Sequence, residues 1–206
     1  MIKKGDIVEL SFTGRLENGE VFDTTDPNLI KNAKNVIIKV GNNEVVKGLD
    51  EALENKEIGK EYEIIIPPEK GFGKRNPNLI KVYPINEFRK HKIEPYPGLA
   101  LELDGAYARV KSVNGGRVTV DFNHPLSDHT LKYTFKIIKK FETNLEIANA
   151  IVQKYNLNAI VEEENQKIVL KYKGKYSSNL EKGLKEIFKN YANLEIEVRF
   201  ENVEKN

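Results

Sequence analysis

Apolar and polar residues alternate with a period of two near the start of the chain. In Ile7-Val8-Glu9-Leu10-Ser11-Phe12, the side chains of Val8, Leu10 and Phe12 fall on one face, the pattern of a half-buried strand. Asn18-Gly19 is a hairpin turn signal and predicts that this strand folds back onto Val21-Phe22-Asp23. Residues 36–40 form a second apolar run, closed by Gly41. Between 45 and 53 the period changes. Leu49, Ala52 and Leu53 have the i, i+3, i+4 spacing of a short helix with one core-facing side. Residues 62–66 read as a strand that Pro67-Pro68 stops, followed by Gly71-Phe72-Gly73 and a polar loop over 74–78.

From Pro84 to Asn123 the elements become shorter. A short helix is predicted over 85–90, then strands over 99–103, 107–113 and 117–122. Gly98, Asp104-Gly105 and Asn114-Gly115-Gly116 separate them. This stretch reads as a small all-β unit. One more strand is predicted over 131–138. Beyond 143 the pattern is that of a separate α+β unit. Asn144 is the expected N-cap of a helix with Ala148, Ile151, Val152 and Tyr155 on one face. Strands are expected over 159–161 and 167–172. Leu180, Leu184, Ile187, Phe188 and Tyr191 mark a strongly amphipathic helix, and Ile196, Val198 and Phe200 alternate in a last strand.

Composition narrows the chemistry. The 206 residues include no Cys, so disulfides, thiol nucleophiles and thiolate metal sites are excluded. A net charge of +2 gives no electrostatic footprint for nucleic acid or an anionic membrane, and neither is expected as a partner. No apolar run reaches the roughly 20 residues that span a bilayer, and the first residues lack the apolar core of a leader, so a cytoplasmic location is expected. No Gly-rich phosphate loop is present. The three histidines, His91, His124 and His129, are scattered, and Ser127-Asp128-His129 lacks a nucleophile elbow. No metal and no cofactor is expected.

Four motifs, in order, carry a resemblance. They are Val8-Glu9-Leu10-Ser11-Phe12-Thr13-Gly14 with Asn18-Gly19-Glu20-Val21-Phe22-Asp23; Val40-Gly41 through Glu44-Val45-Val46-Lys47-Gly48-Leu49; Ile64-Ile65-Ile66-Pro67-Pro68-Glu69 with Gly71-Phe72-Gly73; and Asn123-His124-Pro125-Leu126 through Thr130-Leu131-Lys132-Tyr133-Thr134-Phe135. Together they resemble the FKBP-type peptidyl-prolyl cis/trans isomerases. Residues 84–123 stand where a compact member has a short flap, which resembles the insert-in-flap, SlyD-like and long archaeal members.

The resemblance implies an α+β chain. It would have a half-barrel of antiparallel strands around a short helix, a small β domain inserted in the flap, and a C-terminal α+β domain. The implied domains are 1–83 with 124–142, then 84–123, then 143–206. It also implies a catalytic set of Asp23, Phe12, Phe72 and Tyr133, and a proline pocket completed by Phe22, Ile38, Val45, Val46 and Leu49. Phe12 and Phe72 stand where many members have Tyr, and Leu49 where many have Trp. The insert is expected to act as a chaperone, taking unfolded or proline-containing polypeptide clients through Leu99, Leu101, Val118, Val120 and Phe122. A homodimer through 143–206 is expected from the wide apolar stripe of the second helix in so small a unit. The alternative function is a non-catalytic holdase that uses the scaffold only to bind.

Overall fold

A computed structural model describes residues 1–103 and 105–201. Asp104, expected in a turn, and the last five residues of the expected C-terminal domain lie outside the described residues. In chain order the elements are β1 (Ile7–Arg15), β2 (Val21–Thr24), β3 (Val36–Lys39), α1 (Lys47–Ala52), β4 (Glu61–Ile66), β5 (Ile80–Pro84), α2 (Ile85–Lys90), β6 (Ala100–Leu103), β7 (Ala106–Asn114), β8 (Arg117–Asp121), β9 (Leu131–Phe141), α3 (Asn144–Lys154), β10 (Ala159–Glu164), β11 (Lys167–Lys173), α4 (Ser178–Ala192) and β12 (Ile196–Glu201). The α+β class that the resemblance implies is the class the chain adopts. The chain divides into two compact units, 1–65 with the chain from Lys132 onward, and 66–131.

In the first unit a sheet runs in the order β2-β1-β9-β4, and β3 also pairs with β1. β1 shares one edge between two partners: its first half pairs antiparallel with β3 (Val8 opposite Ile38) and its second half with β2 (Gly14 opposite Asp23). Its other edge takes β9 along its whole length, with Phe12 opposite Phe135 and Gly14 opposite Tyr133. Alternation decides what is inside. Val8, Leu10 and Phe12 of β1 and Leu131, Tyr133, Phe135 and Ile137 of β9 are buried, while Lys132 and Lys136 between them face water. The register slips between Glu9 and Leu10, where Ile138 is the extra residue on β9, a β-bulge that leaves Ile138 exposed.

The predicted helix over 45–53 is shorter than expected. Val46 is extended at φ −55° and ψ 140°, so the helix starts at Lys47 and its buried positions are Leu49 and Asp50. The Asp50 carboxylate accepts the backbone N–H groups of Gly41 and Asn43, each at 2.8 Å. This fixes the loop between β3 and α1 from the inside.

The residues from 143 onward were expected to form a domain of their own, but they share a core with the first sheet. Ile7 of β1 and Ile37 of β3 belong to one apolar cluster with Ala148, Ile151, Leu170, Leu184 and Phe188. The three strands lie in the order β10-β11-β12, antiparallel then parallel, with α4 as the crossover between β11 and β12. The N-cap of α3 is Thr143 rather than Asn144. Its hydroxyl accepts the Glu146 N–H while the Glu146 carboxylate returns to the Thr143 N–H, a capping box. The exposed sheet face carries ion pairs of Lys171 with Glu162, and of Arg199 with Glu164 and Glu197.

The second unit holds a four-stranded antiparallel sheet in the order β5-β8-β7-β6. β5 is an element the pattern did not predict. Residues 80–83, assigned from sequence to the first domain, pair with β8 instead. The core of this unit is small: Phe88, Ala108, Val110, Val118 and Val120.

Candidate active site

The sheet of the first unit brings three predicted aromatic residues together. Tyr133 on β9 lies between Phe12 and Phe22. Both ring centroids are 5.7 Å from its own, Phe12 tilted at 55° and Phe22 edge-on at 85°. The close approach depends on Gly14, which sits opposite Tyr133 and Asp23 in the two ladders. A Cβ there would lie 2.7 Å from the Phe22 ring and 3.0 Å from that of Tyr133. Asp23 is exposed at the edge of this cluster, where β2 ends. The Tyr133 phenol is pushed above its ordinary value, by burial first and by the Asp23 carboxylate second. At neutral pH it is therefore a hydroxyl donor.

The remaining predicted residues of this unit differ in access. Ile38 and Leu49 are fully buried, so neither presents a surface to a ligand. Phe22, Val45 and Val46 are half-buried, and Val45 and Val46 are held on the loop that Asp50 and the start of α1 fix. Thr25 is a residue that sequence reasoning missed. Buried, it donates its hydroxyl to the Phe12 carbonyl and accepts the Phe12 N–H at 2.9 Å, which anchors the strand that carries this ring. The signal was present as Thr24-Thr25 directly after Asp23, but it reads equally as a solvated loop.

Phe72 lies in the second unit. Its ring stacks face to face on His124, with centroids 4.3 Å apart and planes 2° from parallel. Its carbonyl accepts from the buried Ser127 hydroxyl at 3.3 Å, and Gly73 next to it accepts the Asp128 N–H. His124 accepts the Leu126 N–H on Nδ1, so neutral His124 carries its proton on Nε2. Near it, burial alone would raise the Asp121 carboxyl. Hydrogen bonds from Asn123 and from the Arg75 guanidinium, at 2.6 Å, outweigh burial and hold it below its ordinary value.

The residues expected to meet clients require a correction. Val118 and Val120 have no exposed surface, because β8 is an inner strand flanked by β5 and β7 and its apolar side forms the unit's own core. Leu99, Leu101 and Phe122 are half-buried around it. Among the described residues, the large exposed apolar side chains of this unit are Leu79, Val82, Tyr96 and Tyr107. Val82 could not be found from sequence because the strand that carries it was not recognised. Among the described residues no group of three or more His, Asp or Glu is placed to hold a metal ion, and no helix is long and apolar enough to cross a membrane.

Comparison with known proteins agrees with the geometry. Residues 1–88 match the family described as FKBP-type peptidyl-prolyl cis-trans isomerase, and residues 81–126 match the family described as FKBP26, IF domain. The second match covers the β5–β8 sheet and fits an insert-in-flap architecture. A short-type peptidyl-prolyl cis-trans isomerase of Methanocaldococcus jannaschii is 35% identical over 146 residues, which are 66% of this chain and 92% of the relative. The FKBP-type isomerase SlyD of Haemophilus influenzae is 27% identical over 70% of this chain and 75% of its own length. A probable FKBP-type 16 kDa isomerase of Pseudomonas fluorescens is 32% identical over 64% of this chain and 86% of its own length. With this identity and coverage behind it, and with the Phe12, Phe22 and Tyr133 rings packed beside Asp23, the chain belongs to the family of FKBP-type peptidyl-prolyl cis-trans isomerases.

Proposed function

We propose that this protein speeds the cis/trans rotation of X-Pro bonds in unfolded polypeptides and so accelerates their folding, with the inserted β domain acting as the chaperone that holds the client. The observation that carries the catalytic half is the ring cluster of Phe12, Phe22 and Tyr133 with the Asp23 carboxylate at its edge. Rotation costs about 18–20 kcal/mol because resonance in the amide is lost at the twisted state. The planar amide carries more charge on its oxygen than the twisted one, so apolar rings favour the twisted form over the planar form more than water does. Asp23 adds a fixed negative charge, which disfavours the charge on the carbonyl oxygen of the planar amide. The Tyr133 hydroxyl is the donor that orients the peptide, and Val45 and Val46 form the wall. Phe72 joins the catalytic set on the strength of the resemblance.

The chaperone half rests on the exposed Leu79, Val82, Tyr96 and Tyr107 of the second unit, large apolar side chains open to water on and beside the inserted sheet. The proposal places the protein in the cytoplasm, which cell fractionation checks. It includes a homodimer through 143–206. The α4 stripe that suggested one is turned inward, since Leu184, Phe188 and Tyr191 are buried, so the surface left for a second copy is the free edges of β10 and β12 with the exposed Ile160 and Tyr176. Light scattering on the order of tens of micromolar is the check, and a monomer at that concentration removes the dimer from the reading.

The deciding experiment is refolding of a client whose slow step is proline isomerisation. Catalytic amounts of the protein should accelerate it, and Asp23→Asn should lower the acceleration and the kcat/KM on a short X-Pro peptide by about tenfold, equal to about 1.4 kcal/mol of transition-state stabilisation. Slowed refolding with no activity on the peptide would establish the holdase alternative instead.

A further inference from the structure

Val45 and Val46 stand on a loop, and the loop is held from two sides. Asp50 holds it from inside the domain through the N–H groups of Gly41 and Asn43. Glu44, directly before Val45, holds it from outside. Its Oε1 stays within the loop, accepting from the Asn42 side chain at 3.0 Å and from the Lys39 N–H at 3.4 Å. Its Oε2 reaches the C-terminal helices, accepting from the ammonium of Lys154 at the end of α3 and from the Tyr191 hydroxyl of α4 at 3.3 Å.

The contact is reciprocal. Lys154 also donates to the Ile37 carbonyl at 2.7 Å, and Lys39 donates its ammonium to the Tyr191 carbonyl at 2.8 Å. The Lys154 ammonium lies 5.4 Å from the Tyr191 ring centroid and 5.9 Å from that of Tyr155, whose rings meet edge-on.

Among the described residues most ion pairs are open to water, where such pairs fix little. This one, like Asp6–Lys140, differs: the side chains of Glu44 and Lys154 are only 16% and 21% exposed. Burial, and then the Glu44 carboxylate, pushes the Tyr191 phenol above its ordinary value, so it remains a donor. Each charge makes further hydrogen bonds, the condition under which a screened pair sets a definite geometry. Beneath it, Ile37 packs in one dry core with Ala148, Ile151 and Phe188, which prevents the junction from sliding.

We propose that Glu44, Lys154 and Tyr191 are positioning residues through which the C-terminal helices set the place of Val45 and Val46, and with it the grip of the proline site. The proposal rests on the isomerase reading above. It gives the C-terminal elements a role in catalysis although none of their side chains belongs to the pocket. A displacement of about 1 Å at a substrate-positioning wall is enough to cost up to about a hundredfold in rate.

The test uses the full-length chain with Glu44→Gln, Lys154→Met, the double variant, and Leu170→Ala as a control. Leu170 is fully buried in the same core, so its truncation lowers stability without touching Glu44. Two quantities are measured. One is kcat and KM on an X-Pro peptide. The other is hydrogen exchange at the amides of Leu49 and Asp50, which donate to the Val46 carbonyl at 2.9 and 3.0 Å and so report how firmly Val46 is held.

Each single variant should lower kcat/KM about tenfold, mainly through KM, and the double variant should lower it no further, because both remove one junction. Exchange at Leu49 and Asp50 should quicken by a similar factor in all three. Lys154→Arg should restore part of both, and Leu170→Ala should leave KM within about twofold despite its lower thermal midpoint. Unchanged exchange and unchanged KM in Glu44→Gln and Lys154→Met overturn the proposal, as do additive effects in the double variant or an equal rise of KM in Leu170→Ala. Absence of activity in the wild-type chain would instead remove the isomerase reading, and the exchange data would still decide whether the junction positions the loop.

Discussion

The C-terminal elements and the insert are both small additions built around a sheet, and they differ in whose core they join. In the C-terminal part the large side chains of α4 point inward. Leu184, Phe188 and Tyr191 are buried against strands of its own sheet and against Ile7 and Ile37 of the first sheet. Its outer sheet face is covered by ion pairs of Lys171 and Arg199. The insert keeps a core of five buried residues and leaves Leu79, Val82, Tyr96 and Tyr107 in water. A part that joins its core to a neighbour's acts as support.

The sharpest test of that contrast is removal of one ring from the C-terminal core. Phe188→Ala should cost about 3–5 kcal/mol. Because Ile7 and Ile37 share that core, the first sheet should lose stability in the same denaturant transition, followed by hydrogen exchange at β1 and β9. A transition confined to residues beyond 143 would break the comparison, since the C-terminal part would then be an independent domain.

Next in size is the cap of α3. Thr143→Ala removes one half of the capping box and should cost about 1 kcal/mol in chemical denaturation. The other half is titratable. The Lys139 ammonium first, and then the N–H groups of Glu142 and Thr143, bring the Glu146 carboxyl down to about 2 from its ordinary 4.5. A lowered carboxylate contributes stability that is fully present above its unfolded value and is lost as pH falls through its folded value. The thermal midpoints of wild type and Glu146→Gln should therefore differ above about pH 5 and converge as pH falls from about 4.5 to 2. A constant difference across that window would remove the carboxylate from the cap.

The smallest effect on stability is expected in the insert. Val82→Ser and Tyr107→Ser should each change stability by less than about 0.5 kcal/mol, since both side chains are already exposed. Together they should leave activity on a short X-Pro peptide intact while reducing acceleration of protein refolding. Full refolding activity in the double variant would mean that the exposed residues are ordinary surface.

Much of this was readable along the chain, and the failures have physical causes. The alternation of Leu131, Tyr133, Phe135 and Ile137 located β9, and the motif order located Asp23 and the rings of Phe12 and Phe22 around Tyr133. Alternation cannot reveal a bulge, so the exposure of Ile138 was not foreseen. β5 was missed because its Ile80-Lys81-Val82-Tyr83-Pro84 ends in a proline, which reads as a break between domains although an outer strand tolerates it. The junction at Glu44 was invisible because its partners, Lys154 and Tyr191, stand more than a hundred positions away, Lys154 reading as surface and Tyr191 as part of the apolar stripe of its own helix.

The position of β9 has a consequence for synthesis. Ile7 pairs with Phe141, and β9 lies between β1 and β4 in the middle of its sheet. The sheet therefore cannot close until Phe141 has left the ribosome, and β1 must wait with one long edge unpaired. The strands of the insert come from contiguous chain between Ile80 and Asp121, so they can pair earlier and against a smaller entropy of loop closure. The nascent chain thus completes its inserted sheet before the sheet of Phe12, Phe22 and Tyr133 exists, with the unpaired edge of β1 as the surface most in need of protection during that interval.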